Sequence, residues 1–305
     1  MIYTVTLNPS IDYVVHIDKL VNGITNRTTG EEYYFGGKGI NVSHVLAELD
    51  LDNTALGFVA GFTGEAIEKG TKHPRIKTDF IHLKEGVSRI NVKIKSDEET
   101  EINGQGPHID DEALAAFMEK TDGIKDGDTL ILSGSIPKTM PDDVYERILE
   151  RLKDRSVRIV VDATKKLLVN SLKYRPFLIK PNRQEISEIF GAEVKDEETT
   201  LYYARKLQQM GAVNVLVSLG GDGAMLLDET GAVHKEGVLK GKVLNTVGSG
   251  DSMVAGFVAG CIKTNDYTYA LRLGSACGNA TAFLDGLATR EKIDELMKQF
   301  ELKTN

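Results

Sequence analysis

Short runs of β-branched and leucine residues alternate along the chain with longer amphipathic stretches. "IYTVTL" precedes "GINVSHVLAELD", "TALGFVA" precedes "GEAIEKG", "TLILSGS" precedes "DDVYERILERLKD", and "FLIKPN" precedes "RQEISEIFG". "RIVVDAT" and "NVLVSLG" are further strand-like runs. Such alternation predicts an α/β fold, a mostly parallel sheet with helices on both faces. The continuous apolar runs are those expected of strands buried on both sides. Two segments differ: "DYVVHIDKL" with "GEEYYF", and "SRINVKIKSDEETEING", alternate polar and apolar residues. They predict a half-solvated β layer over residues 12–35 and 88–106, either a separate lid or edge strands of the main sheet. No linker or repeat divides the chain, so residues 1–305 are expected to form one domain.

Composition changes this picture little. Apolar residues make up 41% and charged residues 27%, as in an ordinary globule. The net charge of −8 argues against a nucleic-acid partner, whose phosphates call for clustered Lys and Arg. The apolar stretch Met253 to Ile262 is too short for a membrane span. "MIYTVTLNPSID" reads as strand and turn, not as a signal peptide, so a cytoplasmic location is expected. Cys261 and Cys277 lack metal spacing and are expected to be reduced packing residues.

Candidate chemistry lies in the glycine-rich turns. No G-x-x-x-x-G-K-S/T occurs, and the dinucleotide fingerprint fails because Met253 stands where a third glycine belongs after Gly248 and Gly250. What remains is "NTVGSGDS", in which Gly248, Ser249 and Gly250 leave backbone N–H groups open at a helix start, an anion site in the making. Asp251 suits a helix cap there as well as a chemical role. "SLGGDGA", Ser218 to Ala224, ends a buried strand in a turn that either gathers a ligand or makes a plain hairpin. In "KPNRQE", Asn182 and Glu185 are oxygen donors suited to magnesium through water, and equally a capping pair. In "FGGKGINVS", Gly36, Gly37 and Gly39 admit close approach of a ligand, with the amide of Asn41 in reach of hydroxyls. Asp12 in "NPSID" is a hydroxyl acceptor or an Asx turn. Arg27, Lys38 and Arg89 are the basic residues near these loops; arginine suits bidentate phosphate binding.

In this order, "FGGKGIN", "KPNRQE", "SLGGDG" and "TVGSGDSMVAGF" closely resemble the ribokinase-like, or PfkB, family of sugar kinases over essentially the whole chain. One departure is Ser249, where the family's Gly-Ala-Gly-Asp has alanine. "IYTVTLNPSID", "GGKGINVS", "RINVKIK" and "TEINGQGP" resemble the bacterial branch acting on fructose 1-phosphate or tagatose 6-phosphate. The resemblance implies a three-layer α/β/α fold with a small β-sheet lid. It implies ATP and Mg²⁺ as cofactors, and Asp251 as base beside an anion hole of Gly248, Ser249 and Gly250. Lys180, Asn182, Ser218, Leu219, Gly220, Gly221, Asp222, Gly223, Gly250, Asp251 and Asn279 would line the ATP site, with Asn182 and Glu185 organising the metal. Asp12, Gly36, Gly37 and Asn41 would hold the sugar. Lys38, Arg89, Ser135 and Arg27 would meet the phosphate it already carries. The implied reaction is ATP-dependent phosphorylation of D-fructose 1-phosphate at its 6-hydroxyl. The alternatives are tagatose 6-phosphate as acceptor, or a non-catalytic sugar-phosphate-binding protein. The failed fingerprint disfavours a nicotinamide dehydrogenase. A homodimer paired through the lid sheet is also expected.

Overall fold

The computed structural model describes residues 1–303. In chain order its strands are β1 (Ile2–Thr6), β2 (Ser10–His16), β3 (Gly30–Gly36), β4 (Asn53–Ala60), β5 (Ile76–Thr78), β6 (Ile81–Leu83), β7 (Arg89–Lys95), β8 (Thr100–Asn103), β9 (Thr129–Ser133), β10 (Arg158–Asp162), β11 (Leu178–Ile179), β12 (Asn214–Ser218), β13 (Ala224–Leu227) and β14 (Val233–Glu236). Its helices are α1 (Lys38–Glu48), α2 (Gly61–Thr71), α3 (Asp111–Asp122), α4 (Val144–Leu152), α5 (Lys165–Ser171), α6 (Arg183–Phe190), α7 (Glu197–Gln209), α8 (Ser249–Thr264), α9 (Tyr267–Ala282) and α10 (Arg290–Lys303).

The main sheet runs β14-β13-β12-β11-β10-β9-β1-β4-β5, with β6 also paired to β4. From β12 to β5 all pairs are parallel, whereas β13 and β14 turn back antiparallel. Residues alternate strictly between two cores, as a period of two requires. Leu130 and Leu132 of β9, Val161 of β10 and Val215 and Val217 of β12 pack with α3 to α7. Their neighbours Ile131, Val160 and Leu216 pack with α1, α8, α9 and α10. The result is three layers, α/β/α. Helix α8 is buried along most of its length, which explains its nearly all-apolar sequence. Cys261 and Cys277 are free and buried.

The half-solvated segments form a sheet of their own, β3-β2-β7-β8, so the edge-strand alternative does not hold. It is mixed: β2 pairs antiparallel with β3 but parallel with β7. Its alternation sorts side chains cleanly, because Asp12 stands beside Tyr34 and Asn91, while Ile11 stands beside Phe35 and Ile90. The structure adds α3, α5, α7, α9 and α10 to the strand–helix pairs of the sequence pattern, and shortens "FLIKPN" to the two residues of β11. That strand stops because Pro181 offers no N–H and Asn182 begins α6. Among the described residues, no helix is long and apolar enough to cross a membrane.

Candidate active site

The carboxyl ends of the parallel strands meet the starts of α1, α6 and α8, the place where open α/β sheets gather ligands. Helix α8 begins at Gly248, whose φ of 81° is a left-handed conformation that glycine adopts without strain. No side chain caps this start. The Ser249 N–H donates to the Thr246 carbonyl at 3.2 Å, which leaves the N–H groups of Gly250 and Asp251 for a ligand, and the buried Ser249 Oγ also lacks a hydrogen-bond partner. The capping alternative for Asp251 fails: the residue lies three positions inside the cap, 5% exposed. Its Oδ2 instead accepts a 2.8 Å hydrogen bond from Asn41 Nδ2 of α1.

Three charges meet around it. Asp162, ending β10 at 1% exposure, accepts from Lys38 Nζ at 3.2 Å through Oδ2 and faces Lys180 Nζ at 3.4 Å through Oδ1. A Cβ at Gly250 would lie 3.1 Å from Lys180 Nζ, which places that ammonium at the start of α8. Burial first, and the charge of Asp162 next, push the Asp251 carboxyl up to about 6, against the pull of Lys38, Asn41 and Lys180. Burial acts the same way on Asp162, but Lys180 and Lys38 outweigh it and hold that carboxyl below its ordinary value. Burial also works against the charge of Lys38, yet Asp162, Asp251 and Glu185 raise its affinity for a proton overall. The buried pair of acids thus splits into one firmly ionised and one of intermediate strength, a division of roles typical of acid–base sites.

Two cavities adjoin this cluster. One of about 220 Å³ is lined by Lys38, Arg89 and Ser135 together with Asn8 and Gly37. Arg89 Nε donates to the carbonyl of Asn8 at 3.0 Å, which fixes the guanidinium at the rim. A larger cavity of about 500 Å³ lies under the small sheet and is lined by Asp12, Gly36 and Asn41. Asp12 accepts from Ser10 Oγ at 2.9 Å and Asn91 Nδ2 at 2.7 Å, so its carboxylate is pinned in place. Gly39 has a different job: a Cβ there would come within 2.4 Å of the Val5 carbonyl, so its absence lets α1 lie close on β1.

The expected nucleotide residues come together less tightly. Ser218 bridges to Asn182, and a tight turn over Gly220–Asp222 leads into β13, not into a helix. Nothing lies within 4 Å of a Cβ at Gly220 or Gly221, and Asp222 is paired with Arg183. Asn279 Nδ2 donates to the Ser275 carbonyl within α9, whose Gly278 packs against Ser249. Asn182 and Glu185 form a full capping box: Asn182 Oδ1 accepts from the Glu185 N–H and Glu185 Oε2 from the Asn182 N–H, both at 2.8 Å. No group of three or more His, Cys, Asp or Glu suited to a metal occurs among the described residues.

Arg27 is the residue that the fold leaves out. It is exposed in the connection between β2 and β3 and lines neither cavity. Conversely, Asp162 escapes a reading of the sequence, because a lone acid ending an apolar strand carries no spacing signal. The orphaned acid in "RIVVDAT" was the available hint.

Residues 5–292 match the pfkB family carbohydrate kinase. The 1-phosphofructokinase of Bacillus subtilis (strain 168) is 45% identical over 302 residues, 99% of each chain. The D-tagatose-1-phosphate kinase of Bacillus licheniformis is 40% identical over 303 residues, again 99% of each. A Staphylococcus aureus crystal structure described as a phosphofructokinase is 42% identical, with a TM-score of 0.85 over 98% of this chain and 97% of that one. Similarity of this extent, running through every glycine turn of the site, leaves one assignment: the chain belongs to the pfkB family of carbohydrate kinases.

Proposed function

We propose that the chain transfers the γ-phosphoryl group of ATP to the 6-hydroxyl of D-fructose 1-phosphate, giving fructose 1,6-bisphosphate and ADP. The observation that carries this reading is the buried Asp251 beside the uncapped start of α8, with a carboxyl pushed up to about 6. That value leaves it mostly ionised at neutral pH yet basic enough to take a proton.

In the reaction, Asp251 accepts the proton of the attacking hydroxyl as the new O–P bond forms and the bond to ADP breaks. Asn41 holds the receiving carboxylate in register through its hydrogen bond. The N–H groups at the start of α8 and the ammonium of Lys180 face the charge that spreads over the transferring oxygens. Lys38, Arg89 and Ser135 around the smaller cavity hold the 1-phosphate, and Asp12, Gly36, Gly37 and Asn41 the hydroxyls. The turn from Ser218 to Gly223, with Asn279, takes the nucleotide. Asn182 and Glu185 supply oxygen donors of the kind magnesium prefers, and their use in the capping box suits an ion held through water. Such an ion would neutralise nucleotide phosphate charge.

Fructose 1-phosphate and tagatose 1-phosphate share the phosphate at C1 and the free 6-hydroxyl and differ only in configuration at C4. One clamp therefore fits both, whereas tagatose 6-phosphate reverses the two ends. An ADP-release assay across these three and fructose 6-phosphate is expected to give the highest kcat/KM with fructose 1-phosphate. A tagatose phosphate in first place would overturn the choice of sugar, and no turnover at all would overturn the kinase reading.

The proposal extends to a cytoplasmic homodimer. Cross-strand register puts Tyr13, Tyr33, Ile90, Val92 and Ile102 on one face of the small sheet, and Tyr33 and Ile102 are 64% and 60% exposed. A second copy is the occupant that would cover this face. Sedimentation at micromolar concentration should show a dimer, and a monomer there would refute it.

A further inference from the structure

Asp162 ends β10 in the middle of the main sheet, between two lysines that come from opposite directions. Lys38 opens α1 and lines the smaller cavity with Arg89 and Ser135. Lys180 follows β11, is 5% exposed, and places its ammonium at the start of α8. Asp162 Oδ2 accepts from Lys38 Nζ at 3.2 Å. Oδ1 is buried, lies 3.4 Å from Lys180 Nζ and makes no closer hydrogen bond.

We propose that Asp162 is a positioning residue for the phosphoryl transfer: it ties Lys38, on the side of the acceptor's phosphate, to Lys180, on the nucleotide side, so that both half-sites are built around one buried carboxylate. The inference rests on the kinase reading above. Its physical ground is charge. A buried and a half-buried ammonium group without a counter-ion repel one another and are pressed to lose protons, and a buried carboxylate without partners is just as costly. Held together, the three are oriented before any phosphate arrives, so little reorganisation is left for the moment of reaction. Since Oδ1 is the loosely held side, Lys180 can swing to an incoming nucleotide while Lys38 stays fixed.

The groups facing Asp251 are Lys38 and Asn41 from α1, Asp162 from β10 and Lys180 beyond β11, with Glu185 of α6 facing Lys38. Asp162 is an anion that raises the Asp251 carboxyl, so its removal also has a definite sign there: the acidic limb of the kcat profile should move to lower pH. A purely structural ion pair would move that limb through the same charge effect but would leave the binding of both substrates unchanged.

The test is Asp162→Asn, close in shape but uncharged, with each substrate's binding measured separately by calorimetry alongside turnover. KM and Kd for fructose 1-phosphate and for ATP should both rise about tenfold, the usual scale for a charge-assisted contact that loses its alignment. Lys38→Ala should weaken the sugar phosphate alone and Lys180→Ala the nucleotide alone. A folded Asn variant in which only one substrate, or neither, is weakened would overturn the proposal. So would a defect that added magnesium fully restores, since the carboxylate would then act on the metal and not on the lysines. Should the Asn variant fail to fold, Asp162→Glu keeps the charge but displaces it, and must still weaken both substrates. Absence of turnover by the wild-type protein with every sugar phosphate would fault the kinase reading instead, while the calorimetric comparison would still judge the role of Asp162.

Discussion

Two helices begin at the carboxyl ends of the parallel strands, one on each face of the main sheet, and their first turns are finished in opposite ways. Helix α6 starts at Asn182 with a complete capping box, its leading N–H groups bonded by Asn182 and Glu185. Helix α8 starts at Gly248 with no side-chain cap, a buried Ser249 hydroxyl lacking a partner, and an acid in its first turn bonded to α1. Both carry an acidic residue at the third helical position, so in the sequence "NRQE" and "GSGD" look like variants of one signal. The contrast teaches that the same local pattern can be used up in holding the helix or kept open for a ligand. What decides is the residue before the first turn: asparagine closes the start and glycine leaves it open.

The sharpest way to break this contrast is Asp251→Asn. If the open start is catalytic, kcat should fall about a thousandfold, within the range for losing a general base, while calorimetry still detects ATP binding. A variant retaining more than a tenth of wild-type kcat would take the base away from Asp251.

The same substitution bears on stability, with a sign that can be worked out. Folded Asp251 keeps its proton to about pH 6, whereas the ordinary carboxyl releases it near 3.8. Between those values the folded state binds more protons than the unfolded one, so the contribution of this group to stability is lost as pH rises through 6. Asp251→Asn should therefore raise Tm by a few degrees at pH 8, and the gain should vanish below pH 4. A Tm lowered at pH 8 would mean that the ionised carboxylate holds the fold together. A residue that is costly to the fold but needed for turnover is the usual mark of an active site.

Gly250→Ala gives a smaller effect of a different kind. A Cβ there would meet Lys180 Nζ at 3.1 Å, tight but against the movable end of a side chain. Alanine is also the better helix former by about 1 kcal/mol, so thermal stability should hold or rise. Turnover should drop about tenfold, because the methyl group occupies space at the open N–H groups and displaces the ammonium. Unchanged kcat with raised KM for ATP would confine the role of this turn to binding.

How much of this was legible in the chain follows from which forces act locally. The two faces of the main sheet could be read from apolar runs, and the small sheet from its alternation, because both depend on neighbours two residues apart. That the small sheet stands apart was one of the two readings its pattern allowed, but its strand order was not legible: β2 pairs with β7 across some eighty residues, as the register of Ser10 with Arg89 shows. The glycine turns were visible for the same local reason. The fate of Arg27 and Arg89 was not, since a basic residue beside a lid strand looks the same in both places. Only the register beside Ser10 and the bond to the Asn8 carbonyl bring Arg89 to a cavity, while Arg27 stays on an exposed connection. Asp162 was the least legible of all, because its partner Lys38 lies 124 positions away.

The smallest expected effect tests the closed half of the comparison. Asn182→Ala removes the acceptor of the Glu185 N–H and one side of the capping box, which should cost about 1 kcal/mol of stability. If α6 were held by this box and nothing more, against the magnesium role proposed for Asn182, kcat would stay within about threefold of wild type and the Tm loss would be the main result. A capping role and a metal role predict different dependence on magnesium, because a helix cap is indifferent to it. Should kcat instead fall tenfold and recover as magnesium is raised, Asn182 would act on the ion as well as on the helix, and the box would count as a ligand site that caps a helix between turnovers. Since Glu185 Oε2 is bonded to the backbone N–H of residue 182, which the substitution leaves in place, any such loss could be assigned to the asparagine side chain itself.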